Sequence, residues 1–205
     1  MSERVARLHI ALADTEPSIW RRIDFPVDAN LKLLHNAIQY AIGWFDCHLW
    51  NFETDDKRYG IPDPDWRDDE TIAAKNTKLA ALLDRGVRRF TYTYDMGDNW
   101  EHIVTVEAIL EGDPDRKYPR YLDGAHRAPP EDVGGTPGFE AFLEAVGDPK
   151  HPEHREAMEW HSSCYGEAFD PATFDERNAK FGVASIAKRR AAGKKSRVTR
   201  SAGKT

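Results

Sequence analysis

The chain has 205 residues, of which 40% are hydrophobic, 31% charged and 11% aromatic, a composition that excludes disordered and fibrous classes. At this length about 70% of the unfolded surface is buried on folding, enough for one domain with its own core. Two cysteines, no apolar run near 18 residues and a formal net charge of -6 exclude a disulfide framework, a Cys-rich zinc site and a transmembrane helix.

Met1-Ser2-Glu3-Arg4-Val5 runs directly into an alternating pattern, which predicts no secretory signal and a cytoplasmic location. Val5 to Ala13 carries Ala6, Leu8, Ile10 and Leu12 on one face and reads as a half-buried strand. Ile19, Arg21, Ile23 and Phe25 continue the period as its hairpin partner, ended by Pro26. Asp28 or Asn30 then caps a helix over 30–42, with Leu31, Leu34, Ile38, Ala41 and Ile42 on one stripe and Gly43 as its left-handed stop. Cys47 to Thr54 alternates again and predicts a third strand.

Residues 55–70 hold seven acids and two prolines without periodicity, which predicts a surface loop. Thr77 caps a short helix through Leu79, Leu82 and Leu83 that Gly86 ends. Arg89–Tyr94 and Glu101–Ile109 are strong strand signals joined across Gly97, Asp98 and Asn99, a hairpin. A Pro/Gly-rich connection from Glu111 to Gly138 is long enough to be functional. Helices follow around Phe139–Val146, Pro152–His161 and Pro171–Phe181. The order predicts a single α+β domain over 4–182 with packed helices and a largely antiparallel sheet.

From Lys188 onward the chain carries eight basic residues and no acid, leaving 21 basic against 35 acidic residues in 1–187, a net of -14. The acidic body disfavours a nucleic-acid groove on the fold. The 188–205 stretch, rich in Ala, Gly, Ser and Lys, predicts a disordered basic tail: an arm for nucleic acid, a clamp on the acidic body, or a solubilising extension.

Three segments carry a resemblance. They are Pro17-Ser18-Ile19-Trp20-Arg21-Arg22-Ile23 with Leu34-His35, Gly43-Trp44 and His48-Leu49; Tyr94-Asp95-Met96-Gly97-Asp98-Asn99-Trp100-Glu101-His102; and Pro129-Pro130-Glu131-Asp132-Val133-Gly134-Gly135. Together, in this order, they resemble the plasmid pRiA4b ORF-3-like family over most of residues 4–182. The resemblance implies an α+β bacterial or archaeal protein, often encoded near plasmid or mobile-element genes, with no established activity. Some members are labelled resolvases, but this chain has no early Ser nucleophile with an arginine cluster and no terminal helix-turn-helix.

The Tyr94–His102 hairpin concentrates polar groups beside aromatics. Asp95, Asp98 and His102 are candidate ligands for a divalent metal, carboxylates suiting Mg or Mn and an imidazole shifting preference toward Zn, Fe or Ni. The same two aspartates suit Asx-type turns, and Trp100 and His102 suit packing on the sheet. His48 joins such a site only if strand pairing brings it to the hairpin. Glu131 and Asp132 add carboxylates before Gly134-Gly135, in a segment that also reads as a rigid turn. One of Arg21 and Arg22 is expected in solvent and the other against an acid of the hairpin. Trp20 and Trp100 complete a candidate ligand cleft with Arg21, His48, Tyr94, Asp95, Asp98, His102, Glu131 and Asp132. Cys164, three residues from His161, is a weaker candidate nucleophile. Two functions follow: a non-enzymatic binding or accessory module linked to mobile elements, or a metal-dependent hydrolase or nuclease built on the hairpin.

Overall fold

Alternation along Arg4–Leu12 (β1) turns Ala6, Leu8, Ile10 and Leu12 to one side, and that side faces the core. The computed structural model describes residues 3–65 and 69–202, with side chains through residue 193. β1 pairs antiparallel with Trp20–Pro26 (β2) and with Trp100–Glu111 (β7), which sets Leu8 opposite Ile23 and Val106, and Ile10 opposite Arg21 and Val104. Trp50–Thr54 (β3), Lys57–Gly60 (β4), Ile72–Ala73 (β5), Arg89–Tyr94 (β6) and Arg120–Ala125 (β8) complete a sheet ordered β5-β4-β3-β6-β7-β1-β2-β8. Every pairing is antiparallel except β4 with β5.

Register puts one continuous apolar surface on the core face: Phe52 lies opposite Tyr92, Tyr92 opposite His102, and His102 opposite Leu12. Burying each such Leu, Ile or Phe contributes roughly 1.5–3 kcal/mol. The opposite face is polar, with Arg7 bonded to Asp24, Arg22 to Glu107 and Asp123, and His9 stacked on Trp20.

Helix Leu31–Ile42 (α1) forms where the sequence places it, and Asn30 accepts the Leu33 N–H at 2.9 Å as its N-cap. Gly43, at φ 103°, ends it in the left-handed region open to glycine. Leu79–Asp84 (α2), Gly135–Gly147 (α3) and His154–Tyr165 (α4) follow. A last helix, Glu176–Ala202 (α5), lies beside α1 and reaches β8, burying Ala179, Val183, Ile186 and Ala187. None of the helices is long and apolar enough to cross a membrane among the described residues.

The structure differs from expectation at three places. The predicted loop 55–70 contains β4, because Thr54 pairs with Lys57 across the two-residue turn Asp55-Asp56. The connection after Glu111 contains β8, which pairs with β2 at the edge of the sheet among the described residues. The stretch expected to be a disordered tail continues α5 through Ala202; Ala, Lys and Arg are strong helix formers, and Arg190 is tied to Glu3 by a double hydrogen bond. Residues 203–205 of that expected tail lie outside the described residues.

Candidate metal centre

Antiparallel pairing of β3 with β6 sets Trp50 opposite Tyr94. The next residue out on each strand is therefore Leu49 and Asp95, joined by an Asp95 N–H to Leu49 C=O bond of 2.9 Å. This places His48 beside Asp95 although 47 positions separate them in sequence. The predicted strand from Cys47 begins only at Trp50; residues 43–49 instead form a loop, with Asp46 in the left-handed region at φ 57°.

The third component is the 129–135 loop, laid across the end of the sheet. Trp44 Nε1 donates to Pro129 C=O at 2.9 Å, the Glu131 N–H donates to the Tyr165 hydroxyl at 2.6 Å, and the Gly134 N–H donates to Asp98 Oδ2 at 3.0 Å. A Cβ at Gly135 would stand 2.7 Å from Asp98 C=O, at φ 68°, so this close approach requires glycine. The loop brings Glu131 and Asp132 onto His48.

His48 Nε2 lies 3.1 Å from Asp132 Oδ1, 3.6 Å from Asp95 Oδ2 and 3.7 Å from Glu131 Oε2. It is shielded from solvent yet makes no hydrogen bond, and the contacts to Asp95 and Glu131 are too long for one. Donors bound to one ion at about 2.1 Å stand about 3.0–3.6 Å apart, close to the spacing of His48 Nε2 from each carboxylate. Asp95 and Asp132 group with His48, and Glu131 groups with it separately. The other oxygens are committed: Asp95 Oδ1 accepts from Gly97 N–H at 2.9 Å, and Glu131 Oε1 accepts from Phe45 N–H at 2.7 Å and the Tyr94 hydroxyl at 3.0 Å. Asp95 and Glu131 are thereby each anchored through one oxygen and present the other to the centre, while Asp132 reaches it from the exposed side. Asp95 and Asp132 both hold left-handed backbone, at φ 57° and 58°, a conformation Asp tolerates better than most residues.

Charge is unbalanced. Among the described residues no Lys or Arg pairs with Asp95, Glu131 or Asp132; their ion-pair partner is the single imidazole. Burial pushes the Glu131 carboxyl above its usual range and raises the Cys47 thiol and the Tyr94 hydroxyl. Glu131 is 7% exposed and Asp132 70%, so the centre is closed on the protein side and open on one outer side.

The remaining sequence candidates divide. Tyr94 supports the centre, since its hydroxyl accepts the Cys47 N–H at 3.0 Å while donating to Glu131, and Trp44 stacks on its ring. Asp98 holds the loop and does not face the centre. His102 is fully buried on the core face, with Nδ1 against Tyr92 and Trp100 carbonyls at 3.2 and 3.1 Å, and burial lowers its pKa to about 4. Strand alternation explains this: His102 shares a face with Trp100, Val104 and Val106, all buried. Trp100 packs in the core near Trp44. Trp20 lies on the opposite face of the sheet under Arg22. Arg21 is buried in the core, donating to the Ala41, Trp20, Ala125 and His126 carbonyls and stacking on Phe174, rather than meeting an acid of the hairpin. Arg22 pairs with Glu107 and Asp123 on the outer face, so neither arginine meets an acid of the hairpin. His161 Nδ1–H donates to Glu167 C=O and the ring stacks on Tyr165, while Cys164 is exposed beside Ser163. Sequence reasoning missed Cys47, whose thiol lies at the rim of the centre; its signal was adjacency to His48.

A family model described as plasmid pRiA4b ORF-3-like protein matches residues 4–178. The uncharacterized protein y4hQ of Sinorhizobium fredii (strain NBRC 101917 / NGR234) is 37% identical over 172 residues, covering 84% of this chain and 87% of that protein. A crystal structure of a protein of unknown function, MM3350 from Methanosarcina mazei Go1, superposes with a TM-score of 0.77 at 33% identity, covering 87% of this chain and 98% of that one.

Proposed function

The chain belongs to the plasmid pRiA4b ORF-3-like family, and on that premise we propose that it is a binding or accessory protein whose ligand is a divalent cation held by His48, Asp95, Glu131 and Asp132. The observation that carries this reading is His48 Nε2, buried and without a hydrogen bond at 3.1–3.7 Å from three carboxylate oxygens. A divalent ion supplies the positive charge the cluster lacks and gives Nε2 a partner. The plasmid in the family description supports an accessory role beside mobile-element genes. Neither the fold nor the relatives support the nucleic-acid contact expected through the basic C-terminal stretch.

The test is metal content and titration of the purified protein. We expect about one equivalent of bound ion, lost in His48→Ala and reduced at least tenfold in affinity in Asp95→Asn, with both variants folded. Metal-free protein that takes up no Zn(II), Mn(II) or Co(II) overturns the proposal.

The open side at Asp132 favours a second reading, a metal-dependent hydrolase, since a catalytic ion keeps a position for water. It ranks second because the acid–base groups around the ion are its own ligands, and the Tyr94 hydroxyl is already committed to Cys47 and Glu131. The net charge of -14 over 1–187 turns any such activity away from polyanions and toward neutral or cationic substrates. Metal-dependent ester or amide hydrolysis that disappears in His48→Ala would move this reading to first place.

A further inference from the structure

The loop that presents His48 also presents Cys47. Its Sγ, a His48 ring nitrogen and a Glu131 carboxylate oxygen lie within 4.8 Å of one another. A second triad, His48 with Asp95 and Asp132, meets the same limit. The two triads share the imidazole, and they differ in one respect: the first contains sulfur.

The thiol is held in place by the same bonds that hold the carboxylate. The Cys47 N–H donates to the Tyr94 hydroxyl at 3.0 Å, Sγ lies 3.7 Å from that oxygen, and the hydroxyl donates to Glu131 Oε1. Cys164 provides the contrast. It is equally exposed, but its sulfur has Ser163 Oγ at 3.9 Å and belongs to no group of metal-ligating atoms among the described residues.

We propose that Cys47 is a donor of the centre and makes it select a thiophilic divalent cation, of the zinc or cobalt class, over magnesium and manganese. The inference rests on the metal-centre reading above and adds the identity of the ion to it. Carboxylates alone suit Mg and Mn; an imidazole moves preference toward Zn, and a thiolate moves it further. On loading, the sulfur–metal bond replaces the S–H bond and the proton passes to solvent, with no change in oxidation state. A zinc ion with Zn–S near 2.3 Å and Zn–N near 2.0 Å places sulfur and nitrogen about 3.5 Å apart, so the first triad contracts as the ion enters.

Cobalt(II) titration of the full chain under reducing conditions separates this claim from the reading beneath it. The visible d–d bands report ion binding, and a near-ultraviolet thiolate-to-cobalt band reports sulfur. The wild type should show both, and a large excess of Mg(II) should remove neither. Cys47→Ser should keep the visible bands, lose the near-ultraviolet band and bind Zn(II) at least tenfold more weakly, while Cys164→Ser matches the wild type. Visible bands without the sulfur band, or a sulfur band that survives Cys47→Ser, overturn the role of Cys47 and leave the oxygen–imidazole centre standing. No cobalt signal of either kind overturns both.

Discussion

At Arg21 a cation is buried without a carboxylate, and at His48 three carboxylates converge without a Lys or Arg among the described residues. The Arg21 guanidinium is answered by four backbone carbonyls at 2.8–3.0 Å and the face of Phe174. Burial lowers its pKa to about 10, so it stays charged at neutral pH. Its region is closed to any further partner. The His48 region is organised differently: Asp95 and Glu131 each spend one oxygen on the fold and direct the other at an imidazole nitrogen that bonds to neither. The Arg21 guanidinium is satisfied within the fold, whereas the carboxylates around His48 have no Lys or Arg among the described residues to balance them.

Acid should expose the first kind of region before the second. His35, hydrogen-bonded to Tyr92 and Asp46, and His102 are both buried, and burial lowers each pKa from 6.5 to about 4. Between those values the unfolded chain binds more protons, so stability present above pH 6.5 is lost as pH falls toward 4. The loss is on the order of 3 kcal/mol per histidine, read from urea unfolding at stepped pH. His102→Leu should flatten that acid limb, and an unchanged limb would contradict the assignment.

Arg21→Ala should cost about 3–5 kcal/mol, because it opens a cavity and strands several carbonyls. Arg21→Lys should recover little, since an ammonium cannot span four carbonyls or stack flat on Phe174. Chemical denaturation of both variants checks this. A loss below about 1 kcal/mol would mean the carbonyls find other partners.

Asp98 sharpens the comparison from within the hairpin. Asp98→Ala removes the Gly134 N–H bond, and should cost about 1 kcal/mol and loosen the loop that carries Glu131 and Asp132. Asp98→Asn retains an acceptor oxygen and should bind metal as the wild type does; a sharp loss there would make Asp98 a ligand. Truncation after Ala187 removes the Arg190–Glu3 pair and should lower stability by about 0.5–1 kcal/mol, measured by thermal melting.

The alternation of β1, β2, β6 and β7 and the stripe of α1 were legible in sequence because one face of each is apolar and the other polar. β4 and β8 were not: Lys57-Arg58-Tyr59-Gly60 and Arg120-Tyr121-Leu122-Asp123-Gly124-Ala125 lie outside the sheet's central strands and carry too few apolar residues for a period to show. At the site, Asp95, His48, Glu131 and Asp132 were legible as members of one broad cleft but not as the residues that meet within it, since their meeting depends on β3–β6 pairing and on a loop anchored by Asp98. The grouping of Asp95 with Asp98 and His102 followed nearness in sequence. His102 is separated from the centre by the alternation of β7, which turns it into the core.

The centre's oddity can be read in one crossover of melting temperatures. Glu131→Gln keeps the Oε1 acceptor for Phe45 N–H and Tyr94 while removing a buried negative charge whose pKa burial raises. Metal-free Glu131→Gln should therefore melt at or above the wild type, with a gain of up to about 1 kcal/mol. With saturating Zn(II) the wild type should rise by several degrees and overtake the variant, whose own rise should be small. An equal rise in both proteins, or none in the wild type, would contradict a metal centre at His48.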